Sequence, residues 1–319
     1  MGNGVSQAVD SSSSAAAAFK SLRQTLNSRI LGQATFCDRL LMALLADGHL
    51  LVEGVPGLAK TEAIKTLARF IEGDFHRIQF TPDLLPGDLI GTEIYRPEDA
   101  SFEFRQGPLF HHLLLADEIN RAPAKVQSAL LEAMAERQIS VGQTTYTLPQ
   151  LFMVMATQNP LEHEGTYPLP EAQLDRFLMH YRLDYPKAEL ETEILRMGRR
   201  SAQNPYQDTP LDQPIETISQ QTLFAARDEV MQLHLSEPME QYLVQLILAT
   251  RQATEYGPDL PRWIEYGASP RATLALERCA RAHAWLNERD YISPADIQAV
   301  APDILRHRLL LTFEAQSEG

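Results

Sequence analysis

The chain has few of the features that mark secreted or membrane proteins. It contains two cysteines, Cys37 and Cys279, which lie far apart in helix-like apolar patterns. We interpret them as buried core residues in a reducing compartment, which excludes a disulfide framework and a cysteine metal site. Charged residues such as Asp47 and Glu53 interrupt every apolar run before it reaches membrane-spanning length, and we find no secretory signal. We expect a cytoplasmic protein without membrane insertion.

Positive charge is also scarce. Lysine and arginine total 28 against 42 aspartates and glutamates, a formal net charge of −14. Such a chain repels a phosphate backbone unless its basic groups line one channel, and we find no basic run. Arg199 and Arg200, for example, stand among acidic and apolar residues. The balance favours a protein partner over nucleic acid.

The first eighteen residues are poor in structure-forming patterns. Ser11 to Ser14 and Ala15 to Ala18 predict a flexible leader over residues 1–18, with ordered structure from about Phe19. Met1 to Ser6 also fits the N-myristoylation pattern, but six loosely defined positions are weak evidence for lipidation.

Gly54 to Thr61, GVPGLAKT, is the most informative stretch. It follows the apolar run Leu50 to Val52 and precedes the helix-like stretch Glu62 to Phe70. Small residues let backbone N–H groups point at a polyphosphate, and the helix adds its positive end. Ala59 replaces the usual second glycine, the smallest possible departure, so we expect the loop to close. The predicted nucleotide contacts are Gly54, Val55, Pro56, Gly57, Leu58, Ala59, Lys60, Thr61 and Glu62, with Lys60 on the β and γ phosphates and Thr61 on Mg²⁺.

A second element supports a nucleotide site. His111 to Glu118, HHLLLADE, predicts a buried strand that ends in two carboxylates. The carboxyl end of such a strand is where an open α/β sheet binds ligands. Asp117 is the expected Mg²⁺ ligand, and Glu118 is the expected general base for the attacking water.

The order of elements predicts a doubly wound α/β domain over residues 19–186, with a parallel five-stranded sheet and helices on both faces. Predicted strands are Leu50 to Glu53, Phe75 to Phe80, Leu113 to Asp117, Leu151 to Ala156 and Phe177 to Leu183. Predicted helices are Phe36 to Asp47, Thr61 to Ile71 and Ala124 to Glu136.

Two inserts interrupt this alternation, at residues 84–110 and 139–148. Alternating apolar residues and glycines predict a β-hairpin in each. Ordinary surface ribbons would give the same pattern, so a binding role is left open. Beyond Pro186 the pattern becomes helical, which predicts a linker helix and loop over residues 187–218 and a smaller all-α lid over residues 219–319.

Taken together, these motifs resemble those of the MoxR-type AAA+ ATPases. The resemblance extends from about Phe19 to Glu314. Besides the phosphate loop, it rests on LLLADEINRAP (Leu113 to Pro123), MATQNP (Met155 to Pro160), LPEAQLDRF (Leu169 to Phe177), GASPRA (Gly267 to Ala272) and LRHRLLL (Leu305 to Leu311).

The resemblance implies roles for further residues. Asn159 would be the sensor of the γ-phosphate or the attacking water, although a turn before Pro160 would also explain it. Arg176 would be an arginine finger acting on a neighbouring subunit, although an ion pair with Asp175 or Glu171 is an alternative.

Three other residues match motif positions. Arg271 would be the second sensor, acting on its own or a neighbouring subunit, and Gln33 would line the adenine pocket. Arg121 would lie at the subunit boundary, with no role assigned.

The resemblance also implies an activity and partners. ATP and Mg²⁺ would bind between subunits of a homo-oligomeric ring, a hexamer by expectation, which remodels, assembles or inserts metal into client proteins. A separate protein with a von Willebrand factor A domain is the expected partner. A nucleic-acid motor and a low-turnover, nucleotide-gated scaffold remain alternatives; the net charge opposes the first and Ala59 alone hints at the second.

Overall fold

A parallel sheet forms the centre of the molecule. The structure is a computed structural model that describes residues 4–55, 57–98, 100–161, 165–186, 188–203 and 216–318. Numbered along the chain, the sheet strands are β1 (Leu50–Glu53), β2 (Phe75–Gln79), β5 (Leu113–Asp117), β8 (Met153–Gln158) and β9 (Met179–Arg182). They pair in the order β2-β5-β8-β1-β9, all parallel, as the sequence predicts.

The strands are apolar throughout because helices cover both faces of the sheet. In β5, Leu113 and Leu115 join one core cluster, whereas Leu114 and Ala116 join the other. This is the two-residue period of a strand, applied to two buried faces.

The helices divide between these faces. Those that pack on the first face are α1 (Gly4–Arg29), α2 (Ala34–Leu45) and α3 (Lys60–Phe70). The second face is covered by α4 (Pro86–Ile90) and α5 (Ala124–Glu136). Both faces are therefore covered, as expected, and the predicted helix ends lie within about two residues of the observed ones.

Helix α1 begins at Gly4, inside the stretch expected to be a flexible leader. Ala15, Phe19, Leu22 and Leu26 recur at helical spacing and are all buried in the first core cluster. Ordered structure thus starts before Phe19, which corrects that expectation. Alanine is the strongest helix former, so the run Ala15 to Ala18 favours the helix. Residues 1–3 lie outside the described part of the chain.

Both predicted inserts contain antiparallel hairpins. The first pairs β3 (Gly91–Arg96) with β4 (Ser101–Gln106), and the second pairs β6 (Gln138–Val141) with β7 (Thr144–Thr147). Phe104 of the first hairpin stacks on Tyr146 of the second, with ring centroids 4.5 Å apart. The two hairpins therefore pack together as one surface feature.

The C-terminal region is a helical lid, as predicted, with one small addition. Strands β10 (Ile264–Tyr266) and β11 (Leu310–Leu311) form a two-stranded antiparallel sheet that is too short to give a recognisable pattern. The lid helices are α8 (Gln220–Gln232), α9 (Glu237–Arg251), α10 (Leu260–Trp263), α11 (Pro270–Leu286), α12 (Pro294–Leu305) and α13 (Phe313–Glu318).

Helix α6 (Glu171–Leu174) lies between β8 and β9, and α7 (Ala188–Gln203) follows β9 on the way to the lid. The predicted loop after α7 falls on residues 204–215, which lie outside the described part of the chain. Among the described residues, no helix is both long and apolar enough to cross a membrane.

Candidate nucleotide site

The phosphate loop leaves the carboxyl end of β1, between two neighbouring strands. Gly54 N–H donates to the carbonyl of Gln158 at 3.2 Å. A Cβ at Gly54 would lie 3.0 Å from both Cβ and the carbonyl oxygen of Leu183, so any larger residue would require Leu183 to shift by a few tenths of an ångström. Gly57 has a φ of +89°, which favours glycine. Pro56 lies outside the described residues.

Ala59 explains why this position usually holds glycine. It has a φ of 57° and a ψ of 17°, the left-handed conformation, immediately before α3. Such a conformation costs a residue with a Cβ roughly 1 kcal/mol. The turn into the helix forms despite the methyl group, at that cost.

Lys60 is the first residue of α3 and points back over the loop. Its Nζ donates to the carbonyl of Gly54 at 2.5 Å. Burial lowers the pKa of Lys60, and the carboxylates of Asp117 and Glu118 act in the opposite direction. The three predicted charged groups are thus brought into one electrostatic environment. Thr61 and Glu62 follow in the first turn of α3, and Leu58 packs against the first core cluster.

Asp117 ends β5 and uses both carboxylate oxygens. Arg77 donates from Nη2 and Nε to Oδ2, at 2.6 and 3.1 Å. The buried Thr157 hydroxyl donates to Oδ1 at 2.6 Å. Neighbouring strands on both sides therefore fix the orientation of this carboxylate.

Glu118 has a left-handed backbone, with a φ of 58° and a ψ of 51°. Its N–H donates to Thr157 Oγ1 at 2.9 Å, so one hydroxyl links both acidic residues. Its Oε2 accepts from Gln79 Nε2 at 2.7 Å and from Arg121 Nη1 at 3.2 Å. A strained backbone held by such contacts is typical of functional sites.

The sequence interpretation gave no role to Arg77 or Gln79, and included Thr157 only in the motif MATQNP. Arg77 and Gln79 lie on β2, and Thr157 lies on β8, the two strands that flank β5. Gln79 pairs in register with Asp117. Sequence could identify the strands, but the order in which they pair brings these side chains together. Arg121, expected at a subunit boundary, contacts Glu118 of its own chain.

Asn159 follows β8 and is 7% exposed. Its Oδ1 accepts from the N–H of Leu161 at 3.1 Å, which is the turn considered as an alternative. The residue also lines a cavity of about 300 Å³, together with Glu53, Asn120 and Gln158. Asn159 therefore forms the turn and also lines a cavity beside Glu53, the residue that precedes the phosphate loop.

Gln33 precedes α2 and lies at the same end of the sheet as the phosphate loop. Its Nε2 donates to the carbonyl of Asp184 at 2.9 Å, just beyond β9. A Cβ at Gly32 would lie 2.6 Å from Leu190 Cδ1 and 3.6 Å from Pro186 Cβ. Gln33 thus lies near the phosphate loop, and its neighbour Gly32 approaches the apolar residues Pro186 and Leu190.

The residues present fit a magnesium ion that is shared with a nucleotide. No cluster of three or more His, Cys, Asp or Glu side chains that could hold a metal occurs among the described residues. Mg²⁺ is commonly bound by one or two protein oxygens plus phosphates and water. Thr61 and Asp117 supply that kind of limited donor set.

Arg176 lies in a different part of the fold from the loop. Met179, three residues on, pairs with Leu50, the first residue of β1, so the chain enters β9 at the amino end of the sheet. Within the described residues, Arg176 forms no ion pair with Asp175 or Glu171. Asp175 instead pairs with Arg308, whose Nε lies 2.7 Å from its Oδ1.

Arg271 lies beside this segment. It follows Pro270 at the start of α11, and its Nη1 lies 3.9 Å from Oδ2 of Asp175. Its side chain is 58% exposed. Arg271 therefore approaches the carboxylate of Asp175, the residue that precedes Arg176 in the chain. Asp117 and Glu118 lie at the other end of the sheet.

Two family models match the chain. Residues 49–179 match the model of the ATPase family associated with various cellular activities (AAA), and residues 262–319 match an AAA lid domain. The first range includes the phosphate loop, both acidic residues and Arg176, and the second includes Arg271.

Individual relatives agree with these matches. The chain is 48% identical over 291 residues to "Chaperone MoxR1" of Mycobacterium tuberculosis, covering 91% of this chain and 74% of the relative. It is 34% identical to "Protein MoxR" of Paracoccus denitrificans, covering 95% and 92%. A crystal structure of a proposed ATPase from Cytophaga hutchinsonii superposes with a TM-score of 0.89 at 46% identity, covering 99% of this chain and 94% of that one.

Proposed function

The chain belongs to the MoxR-type AAA+ ATPases, a chaperone-like family, and from that membership we propose that it hydrolyses ATP with Mg²⁺ at a site shared between two subunits of a ring. One observation carries the proposal. The phosphate loop, Asp117 and Glu118 lie at the carboxyl end of the sheet, whereas Arg176 precedes the strand that enters from the amino end. A complete site needs both parts, and two chains can supply them.

At the carboxyl end, each group has a separate task. Lys60 and the N–H groups of the loop bind the β and γ phosphates, and Thr61 and Asp117 hold Mg²⁺, which neutralises phosphate charge when bound. Glu118 orients and deprotonates the attacking water. Gln79 and Arg121 hold its carboxylate in place, and Asn159 senses the γ-phosphate or that water.

Arg176 and Arg271 complete the site of the next subunit. A guanidinium aimed at transition-state charge can contribute ~10³-fold or more in rate. Because Arg271 approaches the carboxylate of Asp175, the residue next to Arg176 in the chain, we propose that the two arginines act together in trans. An interface of this head-to-tail kind must close into a ring or polymerise, and we propose a hexameric ring.

The task proposed for the ring is chaperone-like remodelling of protein clients. On the first hairpin, Tyr95 and Phe102 are 51% and 68% exposed, with ring centroids 5.3 Å apart. Exposed aromatic pairs suit a protein client, and the net charge of −14 disfavours nucleic acid. The family resemblance adds a partner with a von Willebrand factor A domain and clients that undergo assembly or metal insertion.

The test is steady-state ATP hydrolysis as a function of protein concentration. We expect specific activity to rise with concentration, and to fall at least ~10²-fold in Glu118→Gln and in Arg176→Ala. Arg262→Ala is the matched control, since Arg262 is an exposed lid arginine that pairs with Glu314, away from both parts of the site.

Mixing the two inactive variants sharpens this test. Arg176→Ala keeps the phosphate loop, Asp117 and Glu118 intact, here called the phosphate end. Glu118→Gln keeps Arg176, the finger, intact. A mixture should therefore regain activity that neither variant has alone. Activity that is flat with concentration and indifferent to Arg176 would contradict a shared site. Absence of hydrolysis in the unmodified protein would favour a nucleotide-gated scaffold, and stimulation by DNA would favour a nucleic-acid motor.

A further inference from the structure

Three consecutive lid residues form hydrogen bonds with the backbone around Arg176. Arg306, His307 and Arg308, here called the lid clasp, follow α12 and donate to backbone carbonyls between Asp175 and His180. Arg306 Nη1 bonds to the carbonyl of His180 at 2.6 Å, and His307 Nε2 bonds to that of Phe177 at 3.1 Å. The lid is thereby fastened to the segment that leads into β9.

Arg308 makes the largest share of these bonds. Its side chain is 3% exposed. Its Nε donates to Asp175 Oδ1 at 2.7 Å, and its Nη2 donates to the carbonyls of Phe177 and Asp175 at 2.6 and 3.3 Å. Its Nη1 donates to the carbonyls of Ile304 and Leu178 at 2.7 and 3.1 Å. A guanidinium has five N–H donors, so all are used, and a lysine could not replace them.

These bonds hold the residues on both sides of Arg176. Asp175 is bound through its carboxylate and its carbonyl, and Phe177 is bound through its carbonyl. Ser269, which caps α11, also donates to Asp175 Oδ2 at 2.9 Å. The backbone that carries Arg176 is therefore fixed to two separate parts of the lid.

We propose that Arg308 is a positioning residue for Arg176, so that the lid of one subunit sets the finger that the subunit presents to its neighbour. The inference rests on the proposed role of Arg176. Because the lid holds this segment, a movement of the lid in one subunit is transmitted to the site of the next. Sites around the ring are coupled through Asp175 and Arg308, without contact between their phosphate loops.

Arg39 offers a matched control for a purely structural role. It is also buried, and it also ties the nucleotide domain to the lid. Its Nε donates to Asp303 Oδ2 at 2.6 Å, and its Nη2 donates to the carbonyl of Ala299 at 2.5 Å. It belongs to α2 and bonds to α12, and its own hydrogen bonds do not reach the segment around Arg176. It is linked to the lid clasp through Asp303, which also pairs with Arg306. Removing either arginine loosens the lid, but removing Arg308 alone releases the finger.

The experiment compares Arg308→Ala, Arg308→Lys and Arg39→Ala in ATP hydrolysis, alone and mixed in equal amounts with Glu118→Gln. Alone, both Arg308 variants should lose about 10²-fold in kcat with KM for ATP unchanged, because misplacing a catalytic group affects the rate and leaves the phosphate end intact. In the mixture the activity should rise. About a quarter of randomly assembled interfaces join the phosphate end of an Arg308 variant to the undisturbed Arg176 of a Glu118→Gln subunit. Arg39→Ala should gain nothing from mixing.

The outcomes separate the two proposals. If Arg176→Ala regains activity with Glu118→Gln but Arg308→Ala does not, the positioning role is wrong and the finger stands. If Arg176→Ala does not regain activity, the shared site itself is wrong. Thermal unfolding shows whether Arg308→Ala folds. If it does not fold, Asp175→Asn takes its place, because it removes the same ion pair and keeps the contacts of Arg308 with the carbonyls. For the proposal to hold, Asp175→Asn must also regain activity when it is mixed with Glu118→Gln.

Discussion

The two ends of the sheet are built in different ways. At the carboxyl end, the side chains hold one another: Thr157 joins Asp117 to Glu118, and Gln79 fixes Glu118 from β2. At the amino end, the segment of Arg176 is held by another domain, through Arg308 and Ser269. Strand register alone sets the first arrangement, whereas the second depends on where the lid lies. We therefore expect local changes to affect the phosphate end and lid movements to affect the finger end.

The largest effect should come from breaking the phosphate end alone, by Lys60→Ala. Loss of one charge-assisted contact to phosphate costs up to about 3 kcal/mol, or about 10²-fold in nucleotide affinity. A fluorescent-nucleotide titration measures it. Lys65→Ala, an exposed lysine one turn further along α3, is the control and should bind normally. If both variants bind alike, the role of Lys60 at the loop is wrong.

The next effect tests whether the carboxyl end really supports itself. Thr157→Val keeps the shape but removes the hydroxyl that bonds to Asp117 and Glu118, which leaves buried polar groups without a partner. We expect a loss of about 2 kcal/mol in the free energy of unfolding, and reduced ATP hydrolysis. Chemical denaturation and an activity assay measure the two. Thr157→Ser retains the hydroxyl and should recover both, and a Val variant as stable as the wild type would contradict the prediction.

A third prediction uses pH to weaken the amino end. His49, just before β1, is fully buried, and burial lowers its pKa to about 4. Its Nδ1 accepts from the N–H of Val154 at 3.1 Å, a bond that protonation would abolish. Because the pKa of His49 is lower in the folded state, its contribution to the free energy of unfolding is complete above about pH 6.5 and is lost as the pH falls towards 4. We expect the free energy of unfolding to be lower by about 2 kcal/mol at pH 5.

Chemical denaturation between pH 7.5 and 5 measures this loss. His49→Asn keeps an acceptor for Val154 and cannot titrate, so its stability should change less over the same interval. Identical pH profiles for both proteins would assign the acid sensitivity to other groups.

The smallest effect concerns the strain at Ala59. Ala59→Gly removes the left-handed penalty but adds freedom to the unfolded chain, so we expect a net gain below about 1 kcal/mol and a slightly higher Tm. Ala68→Gly, within α3, should have the opposite sign, with a loss of about 1 kcal/mol. A lower Tm for Ala59→Gly would show that the methyl group makes stabilising contacts.

Sequence predicted those parts of the molecule that carry their own pattern. Strands β1 and β5 were predicted at their observed bounds, because buried parallel strands are continuously apolar. The start of α1 was missed because a serine-rich stretch resembles a leader. Arg77 and Gln79 were missed because they meet Asp117 and Glu118 through strand order, which no local pattern records. The sequence likewise includes Arg308 in a motif, but its contact with Asp175 depends on how the lid docks.

The lid clasp has a further consequence for solubility. β9 is an outer strand of the sheet, and an outer strand offers unpaired backbone groups to any other strand that approaches. Arg306 occupies the carbonyl of His180 within β9, and His307 and Arg308 occupy those of Phe177 and Leu178 just before it. The same bonds that place the finger therefore shield this border of the sheet from strand addition by another chain. A nucleotide domain separated from its lid would lose this protection and gain a template for aggregation.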